Sequence, residues 1–273
     1  CNDRELVHLP VMGGPNLKRL SFQEPLPALK LKGLNLLRRW NQSSAAPRCL
    51  QHGSHSASSR ACFYSVVVFT LLDHPLISSY TDRLRSSTTG TEEFRQLLRQ
   101  IAQLMLPFAT QDLPTTEISI STPLQETRGV QITGGSPVLI SVLRAGNGLL
   151  DGVLTLLPDA DIGYIGLARN HETLEAEEYL VKLPDVSNRR VLIVDPMLAT
   201  GHTAVATLER VMKGNPAEIT MMNVVASPEG VAHVEAHHPQ VHIVCAALDS
   251  GLNDSGYILP GLGDAGDRLY GTQ

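Results

Sequence analysis

Four short segments carry residue types suited to holding phosphate and sugar. The first is Asp195-Pro196-Met197-Leu198-Ala199-Thr200-Gly201-His202-Thr203. It follows an apolar run, Val191–Val194, and leads into a helical pattern with Ala204, Leu208, Val211 and Met212 on one side. A small glycine-bearing loop that opens a helix offers free backbone N–H groups and a positive dipole end to an anion. Thr200 and Thr203 add hydroxyl donors, Gly201 permits close backbone approach, and Asp195 can accept hydrogen bonds from sugar hydroxyls. An ordinary strand-to-helix turn with a capping threonine shares this local pattern. The second segment, Arg144-Ala145-Gly146-Asn147-Gly148, follows Val138–Leu143. An arginine beside a glycine turn can bind a diphosphate in bidentate fashion, although a surface arginine at a turn looks the same. The third, Arg169-Asn170-His171-Glu172-Thr173, follows Ile162–Ala168. The fourth is the Gly/Pro-rich run Gly256 to Arg268, after Val241–Leu248 and Asp249, and it contains Ile258, Gly263, Asp264 and Ala265.

These segments need a frame that brings them together. The runs Val138–Leu143, Ile162–Ala168, Val191–Val194, Ile219–Ala226 and Val241–Leu248 are apolar throughout, as strands buried on both faces must be. Helical stretches separate them, which predicts an α/β fold with an open, mostly parallel sheet flanked by helices. Ligands of such sheets sit beyond the carboxyl ends of the strands, where all four segments fall. Ahead of the sheet, Phe94, Leu97, Leu98, Ile101, Met105 and Phe108 follow the spacing of one helical face. Thr91 is expected to cap that helix, with Glu92 and Glu93 at its positive end.

Composition sets outer limits. The 273 residues are 42% hydrophobic and 18% charged, which suits one globular domain with or without a tail. Residues 1–62 hold 9 Lys+Arg against 3 Asp+Glu, and residues 63–273 hold 13 against 24. An acidic body argues against broad binding to nucleic-acid backbones. Cys1, Cys49, Cys62 and Cys245 form no C-x-x-C pair, so neither a disulfide framework nor a zinc site is expected, and a reducing cytoplasm fits. The longest apolar run, Val66 to Leu72, is too short to span a membrane, and no signal-peptide pattern opens the chain. The histidines 171, 202, 233, 237, 238 and 242 lack metal-ligand spacing and are expected in loops or facing solvent. Residues 1–62, rich in Pro, Ser, Arg and His, read as an unstructured or non-native segment ahead of a domain at 63–273, with a targeting or partner-binding segment as the alternative.

The motifs together resemble the uracil phosphoribosyltransferases, within the type I phosphoribosyltransferases. Val-Asp-Pro-Met-Leu-Ala-Thr-Gly is similar to that family's signature for 5-phosphoribosyl 1-diphosphate (PRPP), Asp195-Pro196 replacing the acidic pair of the wider family. Leu143-Arg144-Ala145-Gly146 resembles its diphosphate loop, and Arg169-Asn170-His171-Glu172-Thr173 its Arg-Asn-x-Glu-Thr. Gly256 to Asp267 resembles its uracil-specific loop. Asp73-His74-Pro75-Leu76 and Ala226-Ser227-Pro228-Glu229-Gly230 extend the likeness, which covers about Leu71 to Gln273. One departure is His202, where many members carry glycine. If that position needed a positive φ, histidine would be strained; otherwise it points outward or meets the phosphate.

The resemblance implies transfer of the phosphoribosyl group to N1 of uracil, giving UMP and diphosphate. It places the 5′-phosphate on Ala199 to Thr203, the ribose on Asp195, phosphates on Arg144 and Arg169, and uracil against Ile258 and Gly263 to Ala265, in a small hood. Asp264 lies near PRPP and, with Arg144, is the catalytic candidate. Mg²⁺ is expected to be held mainly through PRPP oxygens and water. A projecting hairpin around Leu174 to Leu183 can cover the site, a homo-oligomer is expected, and GTP activates some members. Competing readings are a transferase for purine or orotate, a non-catalytic regulator of the same fold binding nucleotide or RNA, and a fusion with a kinase, for which no phosphate-binding G-x-x-x-x-G-K-[ST] is present.

Overall fold

The computed structural model describes residues 69–169 and 176–272. Residues 1–62 and the segment Asn170 to Leu174 lie outside the described residues. The chain order is β1 (Phe69–Leu71), α1 (Pro75–Arg85), α2 (Thr91–Ala109), β2 (Thr115–Ser121), β3 (Glu126–Ile132), β4 (Val138–Leu143), α3 (Gly146–Leu154), β5 (Ile162–Arg169), β6 (Ala176–Lys182), β7 (Arg190–Val194), β8 (Met197–Leu198), α4 (His202–Met212), β9 (Glu218–Ala226), α5 (Pro228–His237), β10 (His242–Leu248), β11 (Gly251–Leu252), β12 (Ile258–Leu259) and α6 (Ala265–Tyr270). The main sheet runs β1-β10-β9-β7-β4-β5-β6, with β8 pairing to β9. All its pairs are parallel except β5 with β6.

The all-apolar runs follow from burial on both faces. Leu139, Leu192, Met222 and Val244 pack with Leu98, Ile101 and Met105 of α2 and Leu149 of α3. Val138, Ile140, Ile193, Met221 and Ile243 pack on the other side with Leu208 and Val211 of α4 and Val234 of α5. Successive side chains of a strand alternate between faces, so each run must be apolar at every position. Full burial of one such side chain contributes about 1.5–3 kcal/mol.

Strand order also locates the ligand edge. From β4 the chain moves outward to β5, whereas from β7 it moves the opposite way to β9 and β10. The order therefore reverses between β4 and β7, and this switch point is where such sheets leave a crevice.

Some local expectations change. Gly90, in extended conformation and without a side-chain cap bond, is the N-cap of α2, and Thr91 is its first helical residue. Phe94, Leu97, Leu98, Ile101 and Met105 are buried, but Phe108 is exposed, and Leu106 and Ala109 take the buried positions of the last turn. His74 caps α1, its Nδ1 accepting from the Leu76 N–H at 3.2 Å. His238 lies in the turn after α5, as expected, but is buried, and His242 is half-buried at the start of β10, neither in a loop nor facing solvent; His242 Nε2 lies 2.9 Å from Thr70 Oγ1. The described part of the anticipated projection is β6, the antiparallel edge strand, tied to α4 by an ion pair between Glu178 and Arg210. A second hairpin, β2–β3, forms a separate two-stranded sheet with both faces largely exposed. No helix among the described residues is long and apolar enough to cross a membrane.

Candidate active site at the carboxyl edge of the sheet

The loop after β7 is shaped by neighbours that fix its backbone. Asn223 Nδ2 donates to the Asp195 carbonyl at 2.8 Å, and Ser227 Oγ donates to the Ala199 carbonyl at 2.6 Å. Gly230 lets α5 sit against the loop, since a Cβ there would stand 2.2 Å from the Ala199 oxygen. Gly201 precedes α4 in left-handed conformation, φ 83°. The positive φ thus falls on Gly201, and His202 carries none of that strain. The first N–H groups of α4 have no acceptor within the helix, and Thr200, Gly201 and Thr203 at this end line the cleft. Asp195 follows the strand directly, and its Oδ1 accepts the Met197 N–H at 3.2 Å. Burial pushes its carboxyl up to about 7, against the lowering effect of that bond.

Arg144 follows β4 through a cis peptide with Leu143. The turn then enters α3 at once, and Gly146 is the first residue of that helix. Its glycine is required: a Cβ would lie 2.6 Å from the Val194 carbonyl oxygen and 2.7 Å from Ser141 Oγ. The Arg144 guanidinium donates to Asp267 Oδ1 at 3.0 Å and Thr272 Oγ1 at 3.2 Å, and Tyr270 O–H donates to the Arg144 carbonyl at 3.2 Å. Thr272 and then Arg144 hold the Asp267 carboxyl below the usual range.

Asp264 caps α6, its Oδ1 accepting the Asp267 N–H at 2.8 Å. The loop before it turns through Gly261 (φ 60°) and Gly263 (φ 75°). Two arginines pin this loop. Arg85 donates to Asp249 Oδ2 and to the Gly261 carbonyl, both at 2.7 Å, while Asp249 Oδ2 accepts the Gly261 N–H at 2.9 Å. Arg268 donates to the Leu262 carbonyl at 2.8 Å and the Ser86 carbonyl at 2.6 Å, and lies 4.4 Å from the Phe94 ring centre.

Arg144, Asp195, Met197 to Gly201, Thr203 and Asp264 line one cleft of about 320 Å³ at the switch point. Three of the four sequence segments therefore meet there. The remaining one begins with Arg169 at the end of β5, next to β4, on the same edge; the Arg169 side chain lies outside the description. Other anticipated residues sit elsewhere. Pro196 is buried behind the loop, its carbonyl accepting the Val224 and Val225 N–H groups at 3.0 Å. His202 is exposed and outside the lining. Ile258 and Ala265 are buried against the core, at 6% and 0% exposure, and line neither cavity. Gly263 lines a neighbouring cavity of about 700 Å³, bounded also by Thr89 and Thr91, and Asp264 lines both. Sequence reasoning missed Arg85, Asp249, Arg268 and Asp267 as supports. Their signal was a charge next to the glycine loop, unreadable without knowing that 85 and 249 meet.

A model of the uracil phosphoribosyltransferase family matches residues 71–272. The chain belongs to that family. Among curated relatives named uracil phosphoribosyltransferase, that of Geobacillus kaustophilus is 50% identical over 204 residues, covering 74% of this chain and 98% of the relative. That of Streptococcus pyogenes is 47% identical with the same coverage. A solved structure, the AQ2163 protein of Aquifex aeolicus, superposes with a TM-score of 0.70 at 36% identity, over 74% of this chain and 98% of that one. The family match spans all four motif segments and leaves out residues 1–62.

Proposed function

We infer that this protein transfers the 5-phosphoribosyl group of PRPP to N1 of uracil, forming UMP and diphosphate in pyrimidine salvage. The observation that carries it is the meeting of Arg144, Asp195, Ala199 to Gly201, Thr203 and Asp264 in one cleft. The bond from the anomeric carbon to the diphosphate oxygen breaks and its electron pair leaves with diphosphate. The N1–carbon bond forms, and the N1 proton is released. Such chemistry calls for alignment and stabilisation of departing charge, with no covalent intermediate.

Each lining group has a task of its own. The loop and the α4 amino end hold the 5′-phosphate. Asp195 accepts from the ribose hydroxyls, which favours its ionised form against the burial that raises it to about 7. Arg144 exchanges Asp267 and Thr272 for the more highly charged diphosphate, and Arg169 supports it from β5. Asp264 uses Oδ1 as a helix cap, which leaves Oδ2 to receive the N1 proton or stabilise the base. The Ile258–Ala265 loop presents backbone groups to uracil.

Mg²⁺ fits this site as a passenger on the substrate. Among the described residues no three acidic, histidine or cysteine groups cluster as a cage, and the cleft offers hard oxygen donors chiefly through the phosphates. When bound, the ion neutralises leaving-group charge. A homo-oligomer in the cytoplasm, with GTP as effector and no nucleic-acid partner, completes the reading; the excess of acidic groups in residues 63–273 supports the last point. The test is incubation with PRPP, Mg²⁺ and equal amounts of uracil, orotate and hypoxanthine. UMP is the expected product, lost on chelation of Mg²⁺; preference for another base overturns the assignment.

A further inference from the structure

Three imidazoles form a row behind the phosphate loop. The His202 ring centre lies 4.7 Å from that of His233, which lies 4.5 Å from that of His237. The row touches the loop twice. His202 Nδ1 is 2.9 Å from Thr200 Oγ1, and a Cβ on Gly201 would stand 2.8 Å from His233 Cβ. Thr200 lines the cleft and His202 does not.

A threonine hydroxyl has one proton to give. When His202 Nδ1 carries no proton, Thr200 donates to it and turns lone pairs toward the cleft, where they oppose a phosphate oxygen. When Nδ1 carries a proton, it donates to Thr200, whose own proton is then free for the phosphate. An imidazolium bears protons on both nitrogens, so protonation imposes the second arrangement and adds positive charge beside the loop. The other charged groups on the surrounding elements are Asp195, Glu209 and Arg210 of α4, Lys213 after it, Glu229 and Glu235 of α5, and Glu178 of β6. Glu178 is taken by Arg210, and among the described residues no carboxylate forms an ion pair with the three imidazoles. Burial, then His202 and His237, hold His233 below the ordinary imidazole value.

We propose that His202 is a positioning residue for PRPP: through Nδ1 it directs the Thr200 hydroxyl at the 5′-phosphate, which makes substrate affinity depend on the charge of this imidazole. The inference rests on reading the cleft as the phosphoribosyl-transfer site. Its test is KM for PRPP and kcat of the full chain, with H202A and H202N, across the range where imidazoles change charge. The worth of one hydrogen bond gives H202A a KM roughly fivefold above wild type at low pH, and the ratio falls to one or below as pH rises. The substrate phosphate titrates identically in both proteins and cancels. H202N places a non-titrating N–H at the same δ position and keeps KM low at every pH; kcat stays near wild type throughout. A ratio that does not vary with pH, an H202N as weak as H202A at low pH, or a change confined to kcat overturns the proposal. If none of the proteins makes UMP, the transferase reading fails, and calorimetric binding of ribose 5-phosphate to the same variants still decides the role of His202.

Discussion

Replacing Gly201 with alanine loads the phosphate loop at one point. Gly201 has φ 83°, a left-handed conformation that costs an L-residue about 1–2 kcal/mol. The new Cβ would also stand 2.8 Å from His233 Cβ and 3.0 Å from the Gly230 carbonyl oxygen. Neither atom is the end of a flexible chain, so α5 and the loop must part, at about 1–3 kcal/mol for such overpacking. The sum is roughly 2–5 kcal/mol if nothing moves. An edge loop relaxes more easily than a core, so most of this load is expected to emerge as displaced N–H donors. The expected result is a Tm lowered by only a few degrees and a KM for PRPP raised about tenfold or more, the equivalent of about 1.4 kcal/mol. Initial rates at varied PRPP and a thermal melt measure both. A G201A protein with wild-type KM would refute the idea that this loop anchors the phosphate.

Other outcomes follow from neighbouring groups. The folded-state carboxyl of Asp195 sits near 7, above its ordinary 3.8, so the native state holds this proton more tightly than the unfolded chain. Its contribution is present below the unfolded value and is lost as pH rises to about 7; D195N therefore gains stability over wild type by several degrees more at pH 8 than at pH 4 while losing UMP synthesis, and equal Tm differences at the two pH values would argue against the burial. Removing Arg85 leaves the Asp249 carboxylate without its cation beneath Gly261; the pair is part-buried, so the cost lies below that of a fully buried pair, about 3–5 kcal/mol, and R85A is expected to raise KM for uracil well beyond any rise for PRPP, as steady-state kinetics with each substrate varied will show. Gly146→Ala drives a Cβ toward Val194 and Ser141 and is expected to impair both stability and PRPP use, read by melting and the same kinetics.

The strands were legible because burial on two faces leaves only apolar residues, and the observed bounds differ by a residue at most. The phosphate loop was legible because its chemistry is local: an acidic strand end, small residues and a helix start follow one another. Arg144 is different. Sequence placed it at a turn, but its partners Asp267 and Thr272 lie more than a hundred residues away and show only in three dimensions. Arg85 and Asp249 escaped notice for the same reason. The β2–β3 hairpin escaped because its largely exposed faces mix Thr, Glu, Ser and Arg with isolated apolar residues, so no buried stripe marks it.

The most direct measurement is a crystal structure with UMP bound. The phosphate is expected on the N–H groups of Thr200 to Thr203, the ribose hydroxyls on Asp195, and the base against Gly263 to Ala265. UMP bound away from the β4–β7 switch point, or with its base turned from that loop, would contradict the proposed site.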